Sequence, residues 1–361
     1  MKHCMKAILL ATAVGWASGP LLAAGAHPTT GEALADDQIF TYVTGDEHTS
    51  VDPQIVEDTT GAAIVRDLFE GLYNQDADGN LVPGVALSHT TNADKTVYTF
   101  TLRDNAKWSD GKTVTAGDFE YAWKRLADPE TASPYQWFME VMNIKNAGGV
   151  MSGDMPVSEL GVKALNDTTL EVTLAGSMSY FPLTTTHGST FPSPQWAIKA
   201  HGANWVKPEH IVSNGAYVLT KHVPNETLVR ERNPMYWNDA NTIMEKVVIK
   251  IVNDENVALT RYLAGEFDKT GVPTGQFARM QTQYPEEVYS NPTLCTYYYT
   301  LNMGKHGPEA LKDKRVRQAL SYAIDRDIIV ENILQAGQFP AYTFTPDATA
   351  GFTVPEVAVA V

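Results

Sequence analysis

Cys295-Thr-Tyr-Tyr-Tyr-Thr-Leu-Asn302, followed by Arg315-Val-Arg-Gln-Ala-Leu-Ser-Tyr-Ala-Ile-Asp-Arg-Asp-Ile-Ile329, is the stretch that decides the fold. Its first part is an aromatic, β-prone run that reads as a strand around Tyr297. In the second part apolar residues return at helical spacing. Val316, Leu320, Ala323, Ile324 and Ile328 form one stripe of a helix expected over residues 313–334, with that stripe buried. Both pieces need a sheet to cover them, and neither carries a catalytic constellation.

Moving outward, strand and helix periods exchange repeatedly. Thr96-Val-Tyr-Thr-Phe-Thr-Leu102 alternates with Tyr98, Phe100 and Leu102 on one face, and Leu170-Glu-Val-Thr-Leu174 and Val247-Val-Ile-Lys-Ile-Val252 behave alike. Thr115-Ala-Gly-Asp118 reads as an acidic capping box ahead of Phe119, Ala122, Trp123 and Leu126, a helix that ends before Asp128-Pro129. The elements are of unequal length and follow no regular βαβ beat, which predicts a multi-lobed α/β protein. Residues 346–361 have lost periodicity and read as a connector, so the chain is expected to stop before a closing element.

Lys2 and Lys6, the apolar run from Ala7 to Trp16, and the small residues Leu22-Ala-Ala-Gly-Ala26 have the order of a cleaved secretory signal. The apolar run is shorter than the ~20 residues a membrane span needs, and Gly15, Gly19 and Pro20 break it. Cys4 precedes the apolar run, which argues against a lipid anchor at the cleavage point. Export leaves Cys295 as the single thiol, expected to be a buried small hydrophobe or the remnant of a lost pair. Formal charge is −15, becoming −17 once Lys2 and Lys6 leave, with no basic run. Nucleic acid and anionic lipid are poor partners for such a surface.

A search for chemistry returns little. No nucleophile elbow, zincin motif, Cys-x-x-Cys, phosphate loop or dinucleotide fingerprint is present. Asp76-Ala-Asp-Gly-Asn80 has some character of a calcium loop but lacks its distal bidentate Glu, and reads better as a turn. His187, His201, His210 and His222 do not fall at ligand spacing and are expected to be structural or surface residues. No enzyme activity and no cofactor or metal are expected.

Recognition without reaction remains, and several further segments sharpen it. These are Ser50-Val-Asp-Pro53, Arg66-Asp-Leu-Phe-Glu-Gly-Leu72, Leu81-Val-Pro-Gly-Val-Ala86, Ala106-Lys-Trp-Ser-Asp-Gly111, Arg125-Leu-Ala-Asp-Pro-Glu-Thr-Ala-Ser-Pro-Tyr135, Ser213-Asn-Gly-Ala-Tyr217 and Glu231-Arg-Asn-Pro-Met-Tyr-Trp237. With the Cys295 and Arg315 segments, the chain resembles the periplasmic oligopeptide-binding proteins of ABC importers, extracellular solute-binding protein family 5, over residues 37–346. Some segments are shared with dipeptide, nickel and haem receptors, whereas the Thr-Ala-Ser-Pro-Tyr and Cys-Thr-Tyr-Tyr-Tyr pieces point to oligopeptide receptors. Taken as plain structure, Gly71, Gly84, Gly111 and Gly215 serve turns, and Trp108, Trp123 and Trp237 fill cores.

The resemblance implies a class C periplasmic binding protein fold, α/β and bilobed, with an inserted small domain and an incomplete second lobe. Residues 1–26 would be the signal peptide, 27–70 and 195–294 a discontinuous hinge-bearing lobe, 71–194 the inserted domain and 295–361 the start of the second lobe. It implies a monomeric receptor that captures oligopeptides between lobes and delivers them to an ABC permease in the membrane. A murein-peptide or dipeptide receptor is the alternative within the superfamily, and a non-transporting structural or chaperone-like relic the alternative outside it. Glu57, Asp58 and Thr59 match a cleft segment whose backbone pairs with the peptide, Tyr135 a cleft-wall aromatic, and Tyr298 a wall of the opposite lobe. Gly265-Glu-Phe-Asp-Lys-Thr-Gly-Val-Pro-Thr-Gly-Gln-Phe277 departs from the family pattern, so contact there would fall to backbone near Gly271 and Val272. The acid that pairs with the peptide amine and the cysteine partner of Cys295 would belong to the part beyond residue 361. A receptor of this kind binds what peptides share, their main chain, and leaves roomy wet pockets for side chains.

Overall fold

The strand periods read from the sequence fix two sheets in the computed structural model, which describes residues 25–27, 30–291, 293–349 and 351–355. The signal-peptide reading therefore lies outside the described residues except at Gly25 and Ala26. One sheet has the order β1-β10-β9-β8, formed by β1 (Ile39–Thr44), β8 (Tyr217–Val223), β9 (Thr227–Arg232) and β10 (Lys246–Ile251). β1 runs parallel to β10, with Tyr42 opposite Ile249, and the remaining pairs are antiparallel. The sheet thus joins strands just over two hundred residues apart in the chain.

The other large sheet lies wholly between. It has the order β4-β5-β7-β6, from β4 (Ala86–Thr91), β5 (Val97–Leu102), β6 (Val162–Asn166) and β7 (Thr169–Thr173). Tyr98, Phe100 and Leu102 alternate inward as their period requires. A small hairpin of β2 (Tyr73–Gln75) and β3 (Leu81–Pro83) precedes it. The Asp76 carboxylate closes that hairpin by accepting from the amides of Asp78 and Asn80 at 3.0 and 2.8 Å, so Asp76–Asn80 forms a side-chain-bonded turn.

Two helices pack into the core. α1 (Thr59–Leu68) and α2 (Ala116–Ala127) bury Ile64, Val65 and Leu68, and Phe119, Ala122, Trp123 and Leu126. α2 starts where the capping box places it, with the Asp118 carboxylate accepting from the Thr115 amide at 2.8 Å, and it packs on β6 and β7. The apolar cluster is continuous from Val51 to Ile249 and includes Trp108, Trp123 and Trp205. No helix among the described residues is long and apolar enough to cross a membrane.

Segments around Glu70, Asn214 and Tyr236 meet at one buried acid. Glu70 accepts from Asn74 Nδ2 (2.9 Å), Tyr236 Oη (2.6 Å) and Trp237 Nε1 (2.5 Å), while Asn214 brackets its backbone. Burial pushes the Glu70 carboxyl above the usual range, against these three donors and the Arg103 cation. Trp237 is only half-buried, with Arg103 lying over its ring at 3.3 Å. The glycines also divide. Gly111 has φ +88° and serves a turn, but a Cβ at Gly215 would sit 2.6 Å from the Asp67 carbonyl and one at Gly71 2.6 Å from the Phe191 ring, so these two permit close packing.

Residues 293–355 differ most from expectation. The helix expected over 313–334 is broken into Lys314–Tyr322, Arg326–Ile328 and a π-helical turn Ile329–Leu334. Asp325 causes the break, because its side chain accepts from the Ile328 amide at 3.0 Å and caps a new start. The expected buried stripe is not buried, with Leu320, Ile324 and Ile328 all exposed. Tyr297 joins no strand and is 84 % exposed, and Cys295, expected inside, is an exposed free thiol. In each case the pattern was correct for a covered face, and no cover is present among the described residues.

Candidate functional site

Asp52 and Gln54 anchor the best-organised cleft. The buried Asp52 carboxylate takes a two-pronged bond from Arg125 of α2, both at 2.7 Å, and a third from Trp205 Nε1 at 2.9 Å. Gln54 Oε1 accepts from Arg125 and Ser193, and its Nε2 donates to the carbonyls of Ser189 and Phe191. Burial works against the Arg125 charge, yet the Asp52 carboxylate outweighs it and holds the guanidinium pKa above its usual value. A buried pair of this geometry is costly to break from one side only. It locks residues 50–54, α2 and residues 189–205 together.

That network holds two faces a few ångströms apart. Val56, Glu57, Ala62, Val65 and Arg66 line one side of a narrow cleft of about 70 Å³, and Tyr135, His187 and Ser189 line the other. The Tyr135 amide donates to Ser133 Oγ at 3.1 Å, and Ser133 in turn donates to the Gln54 carbonyl, which carries the aromatic wall on the same anchor. The His187 ring lies 4.8 Å from Tyr135 and 4.4 Å from Phe138. His187 Nδ1 lies 2.8 Å from Ser189 Oγ and 3.3 Å from the Ser189 amide, which fixes the orientation of the ring. Burial first, and the Arg66 cation second, lower its pKa to about 4. At neutral pH the cleft therefore offers an acid, a permanent cation, a neutral imidazole and a tyrosine within one small space, suited to binding a polar chain and not to proton transfer near pH 7.

The expected site residues fall in three places. Glu57 and Thr59 are exposed at the start of α1, and Tyr135 is half-buried across the cleft from Glu57. Asp58 spends its carboxylate internally, accepting from Gly61 N (2.7 Å), Thr49 N (2.8 Å) and Thr49 Oγ1 (2.5 Å). Burial raises its pKa, but these donors outweigh it and leave the value low, so only its backbone is available to a ligand. Gly271 and Val272 follow the 268–269 segment, which bonds to β1 through Asp268 N to Thr41 O at 2.8 Å and Val43 N to Lys269 O at 3.2 Å. They lie beyond the β1 edge. Tyr298 is 57 % exposed in the 293–349 segment, its ring edge-on to Phe344 at 5.0 Å.

Sequence reasoning missed His187 and Arg66 as cleft residues. Arg66 sits one turn beyond Ala62 on α1, so helical spacing could have placed it; His187 arrives from a segment more than a hundred residues away and carries no local signal. A wider groove of about 460 Å³ runs along α2, but Glu120 and Lys124 there are paired at 2.5 Å and Arg125 is committed to Asp52.

Comparison with known proteins bears on the chain's family. The family model described as bacterial extracellular solute-binding proteins, family 5 Middle, matches residues 80–358. The periplasmic oligopeptide-binding protein OppA of Salmonella typhimurium is 44 % identical over 331 residues, which are 91 % of this chain and 60 % of that protein. The structure of the Escherichia coli murein tripeptide-binding protein MppA superposes with a TM-score of 0.87 at 41 % identity, covering 91 % of this chain and 64 % of that one. Haemophilus influenzae OppA in complex with RPPGFSPFR gives 0.83 at 38 % identity, covering 87 % of this chain and 61 % of that one. This chain thus spans about 60 % of the length of the curated relatives it matches.

Proposed function

This chain belongs to the bacterial extracellular solute-binding proteins of family 5, and from that premise we propose that it is the peptide-capturing part of a periplasmic receptor serving an ABC importer. Its fold is the α/β periplasmic binding protein fold of that family, represented over part of the relatives' length. On this reading the sheet containing β1 and β8–β10 belongs to the hinge-bearing lobe, built from residues 27–70 and 195–294. Residues 71–194 are the inserted domain, and residue 295 onward opens the second lobe. Signal cleavage near residue 26 would deliver the protein to the periplasm.

The observation that carries the proposal is the cleft in which Glu57 and Tyr135 face one another across Arg66 and His187. A peptide backbone laid along residues 57–59 would meet main-chain groups at the start of α1. Its side chains would meet Tyr135, which gives area with few rotatable bonds and a polar tip that tolerates water. Arg66 is placed to meet a peptide carboxylate. Glu57 supplies the opposite charge, and burying either peptide terminus without such a partner costs several kcal/mol. The partners on this reading are an oligopeptide and a membrane permease, with the receptor acting as a monomer and forming no covalent bond to its ligand.

A second reading, a murein-peptide receptor, is supported by the superposition on the tripeptide-binding MppA. Native mass spectrometry of the protein against a mixed tripeptide library and a murein tripeptide separates the two. Broad retention of library members supports the oligopeptide reading; retention of the murein tripeptide alone supports the second, and retention of neither leaves the relic.

A further inference from the structure

β1, β8 and β10 finish at the same end of their sheet because β1 is parallel to β10 and β8 is two antiparallel steps away. The loop leaving β1 crosses that end and brings Glu47 and His48 against His222 of β8. Glu47 Oε1 lies 2.6 Å from His48 Nδ1 and 3.2 Å from His222 Nε2, and one ligand atom from each residue falls within 4.8 Å of the others. The His48 side chain is 7 % exposed, and the two rings lie 4.8 Å apart. We propose that Glu47, His48 and His222 form a binding site for a divalent transition-metal ion, with zinc the best match and one coordination position open to solvent.

Two imidazole nitrogens and one carboxylate oxygen are the donor set that zinc takes at sites with three protein ligands. Ligand atoms about 2.0–2.1 Å from a tetrahedral zinc stand roughly 3.4 Å from one another. The Glu47–His222 separation already matches this, and the Glu47–His48 contact opens by less than an ångström of side-chain movement. Neighbouring groups already orient the donors. Asn225 N donates to Glu47 Oε2 at 2.6 Å, which turns Oε1 toward the imidazoles, and Asn253 Nδ2 donates to Gly45 O at 2.6 Å, which pins the loop. Binding of the ion would displace the protons that now join the three side chains. A bare hydrogen-bonded clamp between loop and hairpin would need only one of the two histidines on Glu47. Sequence spacing hid the site, since His222 lies far from His48 in the chain and the end of the sheet alone unites them. The site is separate from the cleft and does not depend on the peptide reading.

The test is a zinc titration of the purified full chain in competition with a chromophoric chelator. The expected result is one tightly bound equivalent, weakened about tenfold or more by His48→Ala or by His222→Ala and lost in the double variant. The His201→Ala/His210→Ala variant removes the ring pair stacked at 3.8 Å and should bind as the wild type does. His48→Gln, which keeps a hydrogen-bonding side chain beside Glu47, guards against misfolding: zinc should raise the melting temperature of the wild type by clearly more than that of this variant. No zinc binding by the wild type, or stoichiometric binding that survives loss of both His48 and His222, would overturn the proposal.

Discussion

His187 is held neutral by the cleft it lines, with burial and Arg66 lowering its pKa to about 4. The unfolded chain titrates near 6.5, so between those values it binds a proton that the folded chain refuses. The stabilisation this gives is complete above about pH 6.5 and is lost as pH falls toward 4. Because His187 is partly exposed, we expect on the order of 2 kcal/mol from this residue after screening. Urea melts of the wild type and His187→Gln at pH 7 and pH 4 should differ by that amount in their loss of stability. Parallel losses would mean that the imidazole is solvated and that the cleft is wetter than its packing on Phe138 implies. Residue by residue, the site was half legible. Glu57 and Tyr135 followed from motif resemblance, whereas His187 depends on the Gln54 anchor that draws residues 189–193 inward.

Elements were legible wherever their partners are present. Period two found β5, β7 and β10, and helical spacing behind a capping box found α2, because each of these elements is covered by another. Residues 313–334 show the converse. Their apolar stripe specifies a covered helix, but without a covering layer Asp325 competes successfully for the chain and breaks it. α1 links element to site, since its cap also sets the position of Glu57. Asp58→Ala should cost about 1 kcal/mol or more in chemical denaturation, and Asp58→Asn less, because its amide oxygen still accepts from Gly61 while its NH2 gives up the bonds from Thr49. Equal costs for the two would show that the Thr49 bonds, and not the Gly61 bond, fix the start of α1.

At the scale of the molecule, residues 51–249 bury a continuous core, while the segment after residue 293 turns Tyr297, Tyr299, Phe339 and Phe344 to solvent. Each 100 Å² of apolar surface left wet forgoes about 2.5 kcal/mol. Such a surface is of the kind that closes on a partner. In the proposed receptor the peptide lies in the cleft between Glu57 and Tyr135, and a second lobe carrying Tyr298 closes over it. Within this chain Tyr298 faces water, so capture should be weak and rest on the first wall, with little differential affinity to drive closure. The most direct test is photo-crosslinking with a diazirine-bearing tripeptide at millimolar concentration, mapped by mass spectrometry with and without excess unlabelled tripeptide. Competed labelling is expected within residues 56–66 and at Tyr135 or His187, reduced by Tyr135→Ala. Competed labelling confined to the α2 groove at Tyr121 and Lys124, or elsewhere outside the cleft, would contradict that expectation.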